Sequence, residues 1–288
     1  MMTPAIRALA AMDESGKVDM CMSSNWQDAR RPAYDDFFDK WDIVQDVINY
    51  PEQKFEKDYK QYFCTGHSEH SAAIDIFMKK CSINTEAPDW TSRGLHEVFF
   101  YINIVYKMGY KGPMLNQYVP IANKPILQNG NKIKIGLCNG TYSNKMKPSK
   151  QWEHYNALVT TLRETYDCKI IKVGYQNELE GVDADIDYVG KLSFTESTKV
   201  ISQLDLLITT DTALMHAGDA LQIPMVAIFG GSLISKNGAL SKNAENLVLG
   251  MSCQPCQKTH NFYHCGTYDC INKLSVGDVM AAVKRRLD

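Results

Sequence analysis

Leu204–Gly230 reads LDLLITTDTALMHAGDALQIPMVAIFG: an acid flanked by hydroxyls, Thr209-Thr210-Asp211-Thr212, between two apolar runs. An apolar run of this length followed by a polar junction and a helical pattern predicts a buried strand, a turn and a helix. Thr210 and Asp211 then fall at the carboxyl end of the strand, where open parallel sheets bind ligands. Asp211 is placed to cap the helix. The first turn, Thr212-Ala213-Leu214-Met215, carries backbone N–H groups with no partner inside the helix. Such donors and the positive helix end suit an anion, phosphate above all. His216, one turn in, adds a donor. Without a ligand, the same residues would be a helix cap and a surface histidine, and pattern alone leaves both readings open.

Three more polar junctions follow apolar runs. NGTYSNKMKP (139–148) comes after KIGLC, with Asn139-Gly140 to turn the chain, the hydroxyl of Thr141, and the cations Lys145 and Lys147. Tyr175, Gln176, Asn177 and Glu178 come after IIKVG, and an acid there could accept from ribose hydroxyls. These four residues read equally well as a solvated turn. FGGS (229–232) supplies glycines that let backbone approach a ligand. Four such loops on one rim describe a pocket for a nucleotide diphosphate.

The elements that must carry these loops are legible mainly in the second half. Strands are predicted at 132–138, 168–174, 186–190, 204–210, 224–230 and 245–250. Helices are predicted at 149–166 with Ser149 as N-cap, 194–204 starting near Thr195 or Ser197, 213–222, and 276–288 with Lys284, Arg285 and Arg286 in its last turn. This alternation implies a parallel, doubly wound sheet. In the first half, VDMCMS (18–23) and DIVQDVIN (42–49) read as strands, while HEVFFYINIVYKMG (96–109) fits strand or helix. Proline, glycine and asparagine crowd 111–132, and the expected domains are 1–127 and 128–288.

The 288 residues suit two domains. With 44% apolar and 22% charged residues, the composition is that of a soluble globular protein. A net charge of −2 gives no global field for nucleic acid. No apolar run reaches the roughly 18 residues of a membrane span, and residues 1–12 lack the apolar centre of a secretory signal. The expected location is the cytoplasm, with peripheral attachment at the inner membrane face as an extension of that reading.

The segment GKLSFTESTKVISQLDLLITTDTALMHAGDALQIPMVAIFGGS resembles the donor-binding part of glycosyltransferase family 9, the heptosyltransferase family. GTYSNKMKP resembles its Thr…Lys phosphate loop, and MMTPAIRAL with VDMCMS and VINYP resembles its N-terminal segment. The resemblance implies a glycosyltransferase B fold, two doubly wound Rossmann-like domains facing a cleft, and sugar transfer from a nucleotide-diphosphate donor such as ADP-heptose to an acceptor hydroxyl. The acceptor implied is lipopolysaccharide or another glycan, lipid-linked or otherwise. A modified nucleic-acid base, a protein, or non-catalytic nucleotide-sugar binding are the alternatives. By the resemblance, Thr141 and Lys145 contact the diphosphate, Asp211, Thr212 and His216 hold phosphates and sugar, and Glu178 is the ribose acid. Lys145 and His216 would stabilise the leaving group. Ala213 stands where the family usually has glycine. A strand and a Gly-Asp pair, whose acid is the proposed general base, precede TPAIRAL in the family; here Met1-Met2 stands there. His67, Glu69 and His70 are candidate bases because they can take a proton, and Asp13 and Asp28 are acids near the expected position. No metal or cofactor is required for the transfer.

Cys253, Cys256, Cys265 and Cys270 form a C-x2-C arm followed by two further thiols, with His260 and His264 between. The spacing suits a structural tetrahedral zinc site and equally a set of free thiols.

Overall fold

A computed structural model of the chain describes residues 3–23, 36–38, 40–50, 95–122, 126–128, 130–140, 147–176, 178–257, 262 and 265–288, with side chains at all of these except 21–23, 48–50 and 147–148. The chain divides into two compact units, Met1–Pro120 and Ile121–Asp288. The division falls earlier than the expected 127/128. The cause is hydrogen bonding: Ala122 N–H donates to Thr195 O, Leu127 N–H to Gln203 Oε1, and Tyr188 OH to Ile126 O. These bonds tie the linker residues to the second unit.

In the first unit, α1 (Thr3–Met12) precedes β1 (Val18–Ser23), which pairs in parallel with β2 (Val44–Tyr50). Residues 97–107 form a helix, α2 (Glu97–Lys107), so the ambiguous apolar run is settled by packing. His96 Nδ1 caps it at Val98 N–H, and Phe100, Tyr101, Ile102 and Val105 bury against Ala5 and Ala8 of α1. Isolated, a run so rich in β-branched and aromatic residues has no strong helical preference; the small alanines of α1 provide the face it needs.

The second unit holds a six-stranded, all-parallel sheet in the order β5-β4-β3-β6-β7-β8, from β3 (Ile133–Cys138), β4 (Cys168–Lys172), β5 (Ile186–Asp187), β6 (Leu206–Thr210), β7 (Met225–Phe229) and β8 (Ala244–Val248). The central strands β6 (LLITT) and β7 (MVAIF) are buried at every position, as a sheet covered on both faces demands. After β3 the chain winds to β4 and β5 on one side, then returns to β6 on the other side of β3. The order therefore reverses between β3 and β6, which makes a topological switch point there.

The helices are α3 (Lys147–Lys150), α4 (Tyr155–Thr165), α5 (Phe194–Ile201), α6 (Ala213–Ala220), α7 (Ile234–Asn237), α8 (Asp269–Asn272) and α9 (Val276–Leu287). Tyr155, Leu158, Val159 and Leu162 of α4 share a core with Val279, Ala282 and Val283 of α9 and with Ile135, Leu137, Ile170, Leu206 and Ile208 of the sheet.

Three predicted helix starts are corrected. The expected helix at 149–166 breaks into α3 and α4, so Ser149 is no cap but a buried residue whose carbonyl accepts from Gly231 N–H. Between them Trp152 turns into the core, with its backbone held by Asn139. α5 is capped by Ser193, in a box with Glu196, and not by Thr195 or Ser197, which are buried. α6 is capped by Thr212, whose Oγ1 accepts from Met215 N–H, and not by Asp211. The strand expected at 186–190 shrinks to two residues at the sheet edge.

Candidate functional site at the switch point

β3 ends in Cys138-Asn139-Gly140 and β6 in Thr209-Thr210-Asp211. Both ends open on the crevice where the strand order reverses. Asn139 is buried and clamps Trp152, donating from Nδ2 to Trp152 O (2.8 Å) and accepting from Trp152 N–H (2.9 Å). That clamp fixes α3, which ends on Lys150. Lys150 Nζ donates to Asp211 Oδ2 at 2.8 Å and to Asp211 O at 3.3 Å. His216 Nε2 lies 4.0 Å from Asp211 Oδ1. Lys150, Asp211 and His216 thus form one cluster beside the start of α6, with Asp211 buried and the two cations part-buried.

Burial works against ionisation of Asp211, but the charges of Lys150 and then His216 outweigh it and hold the carboxyl below its ordinary value. The carboxylate is the counter-charge of both cations. It orders Lys150 and His216 at the positive end of α6, where donors for an anion gather. Because Thr212 takes Met215 N–H, the first-turn amides that remain are those of Ala213 and Leu214. Thr210 is completely buried, and its Oγ1 has no hydrogen-bond partner among the described residues. An orphaned buried hydroxyl at a strand end is a place for a ligand atom or a water.

Glu178 is buried on the other side of the crevice. A Cβ on either Gly140 or Gly174 would collide with its carboxylate, so two strand-end glycines make the space it occupies. Cys138 Sγ donates to Glu178 Oε2 at 3.8 Å and stands 3.7 Å from Thr212 Oγ1. Burial first, then the charge of Glu178, pushes the Cys138 thiol up to about 12. It stays protonated and bridges the Glu178 side of the crevice to the cap of α6.

Thr210, Asp211, Thr212 and His216 are brought together at the start of α6, and Glu178 joins them through Cys138. Ala213, Leu214 and Met215 open α6, but the Met215 amide is already used. Thr141, Lys145, Asn177, His67, Glu69, His70, Asp28, His260 and His264 lie outside the described residues. Asp13 closes a surface turn with Ser15. Sequence reasoning missed Lys150, absorbed into the expected long helix. Its signal was a lysine two positions before a tryptophan where an amphipathic helix would place a polar residue.

The cysteine loop packs on the same rim. Gln254 Nε2 donates to Gly230 O at 2.8 Å, and Cys256 N–H and Gln257 N–H both donate to Gly231 O. A Cβ on Gly231 would meet Cys256 Sγ at 2.8 Å and Phe262 at 3.0 Å. Burial and then the charges of the other three cysteines push the Cys270 thiol up to about 11. Among the described residues, no three His, Cys, Asp or Glu side chains are grouped so as to hold a metal ion.

The profile of glycosyltransferase family 9 (heptosyltransferase) matches residues 58–266. The chain belongs to this family. It is a glycosyltransferase, and the fold is of the glycosyltransferase B class. Among solved structures it is similar to the E. coli ADP-heptose lps heptosyltransferase II, with TM-score 0.73 at 18% identity, covering 99% of this chain and 94% of that one. The family 9 glycosyl transferase from Veillonella parvula gives 0.71 at 14% identity over 99% and 92%. The E. coli heptosyltransferase WaaC with ADP gives 0.58 at 13% identity over 99% and 97%. No curated protein sequence matches the chain significantly. Among the described residues no helix is long and apolar enough to cross a membrane.

Proposed function

We propose that this family 9 glycosyltransferase moves a heptose from ADP-heptose to a hydroxyl of lipopolysaccharide or a related glycan, working as a peripheral protein at the cytoplasmic face of the membrane. Solved structures similar in fold include a heptosyltransferase with ADP and one with an ADP-2-deoxy-2-fluoro heptose, which supports the choice of donor. The observation that carries the reading is the Lys150–Asp211–His216 cluster, centred on the buried Asp211, beside the first turn of α6.

As the bond from the sugar to the diphosphate breaks, negative charge grows on the leaving oxygen. Lys150, His216 and the Ala213 and Leu214 amides are preorganised to receive it, and such donors act most strongly where charge develops. Thr141 and Lys145 add to the diphosphate grip. Thr210 offers its hydroxyl, and Glu178 accepts from the ribose. Protein cations suffice for the leaving group, so no step passes through a metal. Asp211→Ala and Lys145→Ala test the site by calorimetry with ADP. The expected result is loss of detectable binding for Asp211→Ala and at least about a tenfold loss for Lys145→Ala. Unchanged affinity in both removes the assignment.

Structural zinc at Cys253, Cys256, Cys265 and Cys270 remains our proposal on spacing alone. Metal analysis of the purified protein decides it: about one equivalent supports zinc, and less than about a tenth overturns it.

A further inference from the structure

The turn that carries Glu178 rests on a buried lysine. Lys172 is the last residue of β4 and is 7% exposed. Among the described residues its Nζ makes a 2.7 Å ion pair to Asp187 Oδ2 on β5 and a 3.2 Å hydrogen bond to Leu179 O. Leu179 follows Glu178 directly. It has a left-handed backbone (φ +54°), which a side chain such as leucine rarely adopts, and its side chain is buried in the sheet core. The turn is tightened further by Glu178 N–H to Tyr175 O and Val182 N–H to Leu179 O.

A lysine is seldom buried unless paired. Pairing with Asp187 would by itself explain an ammonium that ties the short edge strand to the sheet. It would not require the second contact, to a carbonyl in the Glu178 turn. Removal of that contact frees a strained turn to relax. Glu178 has little room for such relaxation, because its carboxylate fills the space left by Gly140 and Gly174.

We infer that Lys172 is a positioning residue: through the Leu179 carbonyl it sets the Glu178 carboxylate at the height where the ribose hydroxyls of the donor meet it. The inference rests on the ribose role given to Glu178 above. It concerns binding geometry only and involves no bond making.

The test is a double-mutant cycle on the full chain, read by calorimetry with ADP and with 2′,3′-dideoxy-ADP. Glu178→Gln is expected to weaken ADP by about tenfold or more, and Lys172→Met by about tenfold. In the Glu178→Gln background, and with the dideoxy nucleotide, Lys172→Met should cost less than about twofold, because the two residues act through one contact. Asp187→Asn, which breaks only the ion pair, should leave ADP affinity within about twofold. It keeps the question open to measurement should Lys172→Met fail to fold. An equal loss from Lys172→Met in both backgrounds, or a loss from Asp187→Asn as large as that of Glu178→Gln, overturns the inference while the ribose role stands. If Glu178→Gln leaves ADP affinity unchanged, the ribose role falls and the positioning role with it.

Discussion

Lys150, part-buried at the end of α3, and Lys172, buried at the end of β4, are each paired with an aspartate at nearly the same distance, 2.8 and 2.7 Å. Their partners differ. Asp211 is 6% exposed, and Asp187 is 42% exposed. One pair is central, with an enclosed carboxylate at the switch point between β3 and β6; the other has one wet partner on the two-residue edge strand. Bond length is therefore a poor guide to what an ion pair does. The enclosed pair keeps its carboxylate out of water, so Lys150 is held on both Asp211 Oδ2 and Asp211 O. The half-wet pair can exchange its aspartate for water, which leaves the lysine's carbonyl contact as the part with a directional consequence.

The largest effect expected from breaking this symmetry is at the more enclosed pair. Asp211→Leu leaves the part-buried Lys150 without its counter-charge and should destabilise the second unit by up to about 3 kcal/mol. Asp187→Asn should cost only about 0–1 kcal/mol, since solvent screens the exposed partner. Urea midpoints of the two variants measure both, and equal losses would dissolve the distinction between the pairs.

A smaller effect separates the pairs by pH. Asp211 and Asp187 are both held below the ordinary carboxylate value, in each case against burial, by their lysines and by further donors. A lowered folded-state pKa contributes stability that is complete above the unfolded value, about 3.9, and lost as pH falls through the folded value. Stability should thus be flat near neutrality and fall below roughly pH 4. The gap between the parent chain and Asp187→Asn should narrow along that fall, as protonation erases what the substitution had removed. A gap that widens with acid contradicts the sign.

The polar junctions were legible because their residue types are unusual where they stand. Thr210, Asp211 and Thr212 interrupt an apolar pattern, and that interruption points to a strand end whether or not the fold is known. The identity of the helix cap was not legible. Asp211 and Thr212 are both good caps, and only the approach of Lys150 from α3 drew Asp211 away and left the position to Thr212. Lys150 itself was hidden because 149–166 carries a continuous amphipathic pattern. The helix breaks there because Trp152 is buried and Asn139 captures its backbone, which are contacts between distant segments. The two glycines around Glu178 were visible as turn signals, but nothing in their spacing said that a carboxylate would fill the space they leave.

The sequence by itself determined the alternation of strands and helices in the second half, the polar rim at the strand ends and the family, because each rests on residue types at local spacing. The tertiary structure decided which lysine meets Asp211, which residue caps α6, and that Glu178, Cys138 and Thr212 are neighbours. Those facts depend on the winding order that places β4 and β6 on opposite sides of β3. A parallel sheet brings together residues separated by whole crossovers, and no periodicity within a crossover records which strand end will lie beside it.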